Sequence, residues 1–584
     1  MKIDLCSTAD SKSRKYAYGN RSLLAGGLLA LLPLLLTAPI SSADPFPQDA
    51  SAEKSVDARP GAPAASLPEA SGSKLALSLE EATRLALSRN LDLVVNRIDA
   101  DESRFRILEA RGVFDPALAA NLQNSLSESP SASVFQGSES KQRIWNLSVS
   151  QLLAPGTTYS LAFDNNRLET NSSYYSLNPS FSSSLSLTVT QPLLRNFGFE
   201  VNEAGLLIAR NNREISREAF LKSVQQTIVD VENAYWDVVA AREELAVQDQ
   251  SVAVANDLLR ITKIKVDVGS LAPIEIVSNE SAVASREEAI IRAAAAVENA
   301  EDRLRRLVNV PQARWEEKLE LTDSASGAAL PPPAEGDLAD AFKYALENRP
   351  EMIQARLDTG SKGIKARYDR NQTLPSLDLT GKYGFAGIAG DEYGYRHDGF
   401  PCDPKTDPNC RLVIVERSGY GHALSQIKDR DFHNWTVAVS FGIPVFNWSA
   451  KARSAISRLE LERSEALLSS LEQQVLLDVR LSARAVLTAQ KSVAAAAKAR
   501  ILAERNLDAE RKKFENGMTT NFEIIRVQEL LSASQSVEVG AKIAYKKALT
   551  DFHRAKGDLV SLRGVRILDD EPEPVRRTAM GGGR

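Results

Sequence analysis

The sequence predicts a mixed α and β chain of two internal repeats, each a set of membrane-length strands followed by unusually long helices. Three observations carry this prediction. Alternating apolar and polar segments of about 9–11 residues recur, two helical stretches run to about 66 residues each, and both features return in the same order in each half.

The strands come first in each half. Trp145, Leu147 and Val149 alternate with Asn146, Ser148 and Ser150; Tyr159, Leu161 and Phe163 with Ser160, Ala162 and Asp164; Leu185, Leu187 and Val189 with Ser184, Ser186 and Thr188. In the second half Leu377, Leu379 and Tyr383 alternate with Asp378, Thr380 and Lys382, and Trp435, Val437, Val439 and Phe441 with Thr436, Ala438 and Ser440. Residues 117–126 form a weaker sixth case. A soluble sandwich gives the same two-residue period; an export signal, and Trp and Tyr near strand ends, point toward a membrane barrel.

The helices follow. Residues 203–268 and 451–516 would each span roughly 100 Å at 1.5 Å per residue. Val224, Val231, Val238, Leu245, Val252 and Leu259 recur every seven residues, and so do Val479, Val486 and Val493, which is a coiled-coil period. Each long helix ends at a Gly-marked break, "VDVGSLAPIEIV" (266–277) and "FENGMTTNFEII" (514–525), and a second helix closes the half. Each half opens with a short helical segment, at 80–93 and 338–352.

Composition bounds the function. Charged residues make up 25% of the 584 and mean hydropathy is −0.24, which excludes a polytopic helical membrane protein. Residues 1–43 read as a signal peptide, with a basic lead, an apolar run over 23–38 and small residues before a cut after Ala43. Its loss takes away five basic and two acidic residues, so the net charge of −5 becomes about −8 in the mature chain. A mildly acidic chain without a basic, aromatic-laced patch predicts no nucleic-acid partner. Residues 44–74 read as a flexible leader, 75–323 as the first repeat, 324–336 as a linker, 337–563 as the second repeat and 564–584 as a disordered tail.

The sequence offers no catalytic, cofactor or metal constellation. His397, His422, His433 and His553 lack ligand spacing, and the Gly-rich "GKYGFAGIAG" (381–390) reads as a strand end and loop, with no helix after it to cradle a phosphate. Cys402 and Cys410 bracket a short loop and predict a disulfide in an oxidising compartment.

The order of strands, "TQPLLRNFG" (190–198), long helix, Gly-marked break and closing helix, repeated with "GIPVFNWS" (442–449), resembles the TolC-like outer-membrane efflux protein family over residues 75–563. The resemblance implies a β-barrel shared between three protomers and continued by a long α-helical coiled-coil tunnel. It implies a homotrimer in outer-membrane lipid of a Gram-negative-type cell, with a periplasmic helical portion. The lower tips would meet a periplasmic adaptor protein and, through it, an inner-membrane transporter. The function implied is a passive exit channel for small molecules in a tripartite efflux pump, and not an enzyme. The residues leave open a type I protein-secretion duct, or an exported coiled-coil scaffold without a pore.

Residue by residue, the family pattern places the adaptor-docking tips at Val268, Gly269, Leu271 and Ala272 and at Gly517, Met518 and Thr519. Glu275 and Glu523, six residues after each Gly, match the acidic positions of the pore entrance. Arg526 stands where a second acidic residue is expected, which suggests a Glu–Arg clasp. Pro192 and Pro444 mark the barrel–tunnel junction, where a sheet ladder must end. One departure stands out: the family pattern has two strands per repeat, whereas four segments (114–126, 144–152, 157–168 and 181–191) precede the first long helix here. The trimer would then close with 18 strands; otherwise residues 127–180 form a hairpin or lid above a 12-stranded barrel.

Overall fold

The computed structural model describes residues 2–5, 74–130, 137–172, 174–323, 338–403 and 405–568. The leader, the linker and most of the signal peptide lie outside these. Among the described residues no helix is long and apolar enough to cross a membrane.

The first repeat opens with two helices, α1 (Leu79–Arg89) and α2 (Leu91–Arg111), where the sequence showed one short segment. Asn90 makes the division: its side chain accepts from the amides of Asp92 and Leu93 and so starts a new helix. Ser78 and Glu81 form a capping box at the start of α1. Four strands follow, β1 (Ala117–Glu128), β2 (Glu139–Leu152), β3 (Thr158–Thr170) and β4 (Leu177–Pro192). The chain then enters α3 (Ala204–Asp267) and returns through α4 (Ile274–Val308).

The second repeat opens the same way, with α5 (Leu338–Asn348) and α6 (Pro350–Asn371). Here Pro350 enforces the break, because the residue before a proline is pushed out of helical backbone; Arg349 sits at φ −69°, ψ 130°. Next come β5 (Ser376–His397), β6 (Arg411–Glu416), a helix α7 (Tyr420–Asp429) and β7 (Phe432–Gly442). The repeat ends with α8 (Trp448–Glu515) and α9 (Asn521–Lys556).

Residues 381–390 are therefore strand and not strand end and loop. They lie inside β5, held by β4 on one edge and mostly by β7 on the other. Small residues suit this crowded position: a Cβ on Gly384 would approach β4 backbone at 3.0 Å. At the start of the expected tail the chain is paired with a segment of the expected signal peptide. Val565–Leu568 forms a strand, antiparallel to Lys2–Leu5, and Val565 packs with Leu559 and Phe220.

The four strands of the first repeat and β5 and β7 of the second form one antiparallel sheet, in the order β1-β2-β3-β4-β5-β7, with β6 alongside the upper part of β5. The described parts of residues 127–180 run within this sheet, where β2 and β3 are paired between β1 and β4, and not as a separate hairpin above it. Because side chains alternate, each cross-strand row lies on one face of the sheet. Leu118, Val149, Leu161, Leu187, Tyr383 and Trp435 make one apolar row. The next row, on the other face, is Ala119, Ser148, Ala162, Ser186, Gly384 and Asn434.

The apolar face is largely uncovered, with Trp435 69% exposed. At its upper end α7 lies on it. The Tyr420 ring meets those of Phe181 and Trp145 at 4.7 and 6.1 Å, and Gln426 accepts from the Ile388 amide. There the apolar pattern fails, since Asn165, Ser183 and Gly387 continue the row of Trp145. Asn165 and Ser183 are buried and hydrogen-bonded to each other. The Cys402–Cys410 disulfide is formed in the loop above β5, where Asp407 also binds His397.

The helices bundle below the sheet. α3 packs along α2, α4, α6 and α9, and α8 along α6 and α9. The heptad valines are the seam: Val224, Val231, Val238 and Val479 are fully buried, and Val486 and Val493 nearly so. Midway, two short parallel strands, Lys74–Leu77 and Lys318–Leu321, bury Leu75, Leu77 and Leu319 against Val231, Tyr235 and Val238. The Tyr235 hydroxyl donates to Asp323, and burial pushes its pKa up.

Candidate functional site: the paired helical tips

The two breaks fold alike. Gly269 stands at φ 74° and Gly517 at φ 71°, a conformation that glycine adopts without steric cost. At the first tip the Ser270 amide bonds Lys265 O and the Gly269 amide bonds Val266 O; at the second, Met518 bonds Lys513 O and Gly517 bonds Phe514 O. Both are the double hydrogen bond that closes a helix on a C-terminal glycine. The chain reverses there into α4 and α9.

The tips hold each other through a small core of Leu258, Phe514 and Ile524, with Ile261, Leu271 and Ile525 against it. Lys265 Nζ lies 3.9 Å from the Phe514 ring centroid and donates to Phe514 O at 2.8 Å. Thr519 donates to Glu510, which also accepts from Lys513; these bonds hold the Glu510 carboxyl below the usual glutamate range.

The tip residues named from the sequence divide into two groups. Val268 and Met518 project into solvent, 73% and 69% exposed, and Gly269, Ala272 and Gly517 are exposed beside them. Leu271 and Thr519 turn inward, to the tip core and to Glu510. Phe522, Ile274 and Val277 are exposed apolar residues at the same end that the motif did not single out. Position could have found them, since they open the closing helices.

The acidic pair also divides. Glu275 accepts from Asn521 Nδ2 at 3.0 Å, joining α4 to the start of α9. Glu523 caps its own first turn with Arg526, whose Nε and Nη2 lie 2.9 and 2.7 Å from Glu523 Oε2. Higher up, the buried Arg286 donates to Ser251 O and Gln528 Oε1, tying α4 to α3 and α9; burial lowers its pKa. Sequence reasoning missed Lys265, Asn521 and Arg286. The repeat carried a partial signal for the first, as Lys265 and Lys513 both stand four residues before the glycine.

At the other end of the long helices, Pro192 is the last residue of β4, opposite Asp378, and Pro444 follows β7 by two residues. Side-chain amides brace the crossing: Asn371 Oδ1 accepts from the Asn196 amide, Gln372 donates to Asn196 Oδ1, and Asn447 donates to Thr373 O. Gly156, in the β2–β3 turn, is pressed against this junction; a Cβ there would lie 2.3 Å from Asn196 O. Among the described residues no group of three or more His, Cys, Asp and Glu side chains could hold a metal ion.

The profile of the family described as outer membrane efflux protein matches residues 82–310 and 342–558. No curated protein matches the chain. Among solved structures, the CmeC outer-membrane channel of Campylobacter jejuni is 13% identical, with a TM-score of 0.56 over 82% of this chain and 86% of that one. The outer-membrane protein VceC of Vibrio cholerae, also 13% identical, gives 0.57 over 82% and 96%. The MtrE outer-membrane channel of Neisseria gonorrhoeae, in its open state, is 16% identical and gives 0.52 over 82% and 88%. These likenesses concern the fold, and the profile covers both halves of the chain in turn. The chain belongs to the outer membrane efflux protein family.

Proposed function

We propose that the chain, after removal of residues 1–43, forms a homotrimeric channel in the outer membrane. The channel is the passive exit duct of a tripartite efflux pump for small molecules. The observation that carries this reading is the continuity of one chain from a membrane-length amphipathic sheet into helices of 64 and 68 residues that end in two matched tips.

Several features support three copies. Among the described residues the sheet ends in β1 and β7, each paired on one edge only, and open edges are not tolerated in lipid. The helices leave large apolar residues uncovered, among them Phe105 and Leu108 on α2 and Leu459 and Leu467 on α8. A neighbouring protomer would cover them. The chain supplies a conduit and no catalysis; an inner-membrane transporter supplies the energy.

At the periplasmic end, Val268, Gly269, Ala272, Gly517 and Met518 would meet an adaptor protein. Glu275, Glu523 and Arg526 would ring the entrance, each repeated by the threefold axis, so their charges act on permeating ions. The test is reconstitution of the purified trimer in planar lipid bilayers. Discrete ohmic conductance steps are expected; protein that inserts and conducts nothing would overturn the channel reading.

A further inference from the structure

We infer that the barrel is closed by direct pairing of β1 of one protomer with β7 of the next, making an 18-stranded wall. This rests on the proposed trimer and goes beyond it, because it fixes the strand number and the seam and narrows its register to two. The sheet carries six long strands per chain, paired without interruption from β1 through β7.

The register supplies an independent check on closure. The cross-strand row that starts at Ala117, the first residue of β1, passes through Ser150, Ser160, Thr188 and Lys382 to Thr436. Both β1 and β7 meet the tunnel at their lower ends, Ala117 and Gly442. Thr436 lies six residues above Gly442, so the sheet climbs six residues in five strand-to-strand steps. With about 3.3 Å per residue and about 4.8 Å between strands, the strands tilt by about 40°. Closed barrels require about 35–45°. An 11-residue strand such as β7 at that tilt rises about 28 Å, close to the height of the apolar band of an outer-membrane barrel.

With the step across the seam included, the total per protomer is about six or eight residues, because an odd shift would set the apolar face of one protomer against the polar face of its neighbour. Thr436 then faces Gln123 or Ser125 of the next protomer. Leu122, 84% exposed at the open edge, correspondingly faces Val437 or Val439. Both choices put apolar residues side by side toward lipid. Eighteen strands at this tilt give about 36 Å between opposite backbones, against about 24 Å for 12 strands. The inner rows carry mainly Ser, Thr, Asn, Gly and Ala, with Lys382 among them. The barrel is then a wide aqueous mouth, and control of passage falls to the helical tips.

The test is electron cryo-microscopy of the full mature trimer extracted from outer membranes, with disulfide trapping of the seam. Eighteen strands are expected, six from each chain. A wall of 12, with β2 and β3 folded out of it, would overturn the inference while leaving the channel reading intact. Leu122→Cys combined with Val437→Cys or with Val439→Cys should give covalent trimers on oxidation, in one pairing more than the other. A trimer that forms but cross-links in neither pairing would overturn the seam. A chain that stays monomeric would overturn the channel reading as well, which separates the two failures.

Discussion

Lys265 at the end of α3 and Phe514 at the end of α8 are joined twice, by the ammonium over the ring at 3.9 Å and by its hydrogen bond to the carbonyl of the same residue. One residue of the first repeat thus seals the helix end of the second. The aromatic ring beneath it is the buried centre of the tip core.

Replacing Lys265 by Ala should therefore loosen both tips together. The cation–ring contact is half-buried and worth about 0.5–2 kcal/mol, so amide exchange over residues 258–280 and 510–525 should quicken about 2- to 30-fold. Phe514→Ala removes a core ring and should cost about 3–5 kcal/mol locally. Exchange measured by mass spectrometry checks both; quickening confined to one tip would show that the link is not shared.

Acid should open the second tip. The Glu510 carboxyl is held below its ordinary range by Thr519 and Lys513, so its pKa is lower folded than unfolded. The linked stability is complete above the ordinary glutamate pKa of about 4.3 and is lost as pH falls through the depressed folded value. Tip exchange should rise over that acidic interval, and Glu510→Gln should flatten the pH dependence. An unchanged profile in the variant would remove Glu510 from the account.

Gly387 has no room for a side chain: a Cβ there would lie 2.0 Å from the Ala423 carbonyl oxygen of α7. Gly387→Val should lift α7 from the sheet, separate Tyr420 from Phe181, and cost about 1–3 kcal/mol in local packing. Limited proteolysis should then cut within 417–431 under conditions that leave the parent intact. Equal resistance would mean that α7 is not held by this contact.

Arg526→Ala leaves Glu523 without its neighbour. The pair is largely exposed, so the stability change should stay within about 1 kcal/mol. Ion selectivity should move further, because each residue is present three times in the proposed pore. Reversal potentials in a salt gradient should shift toward cation preference; no shift would place this pair off the permeation path.

The periodicities explain how much of this was legible. Two-residue and seven-residue patterns displayed the sheet faces and the valine seam, because burial acts on every repeat of the period. Gly269 and Gly517 were legible as reversals, because a left-handed helix end selects glycine. The α1–α2 and α5–α6 breaks were not, since each depends on the local backbone at Asn90 or Arg349. The long Gly-rich β5 was hidden because its glycines answer to neighbouring strands and to α7, which lie far away in sequence. Lys265 was hidden for the same reason: its partner is 249 residues distant. The disulfide was legible because Cys402 and Cys410 are close in sequence.

The central claim is that the chain works as a trimer in the outer membrane. The most direct measurement is the mass of the mature protein extracted in detergent from outer membranes, with unheated and boiled samples compared by electrophoresis. The account predicts a heat-dissociable species of three times the chain mass, helical with some sheet by circular dichroism. A water-soluble monomer or dimer would contradict it, and would leave a coiled-coil scaffold without a pore as the better description.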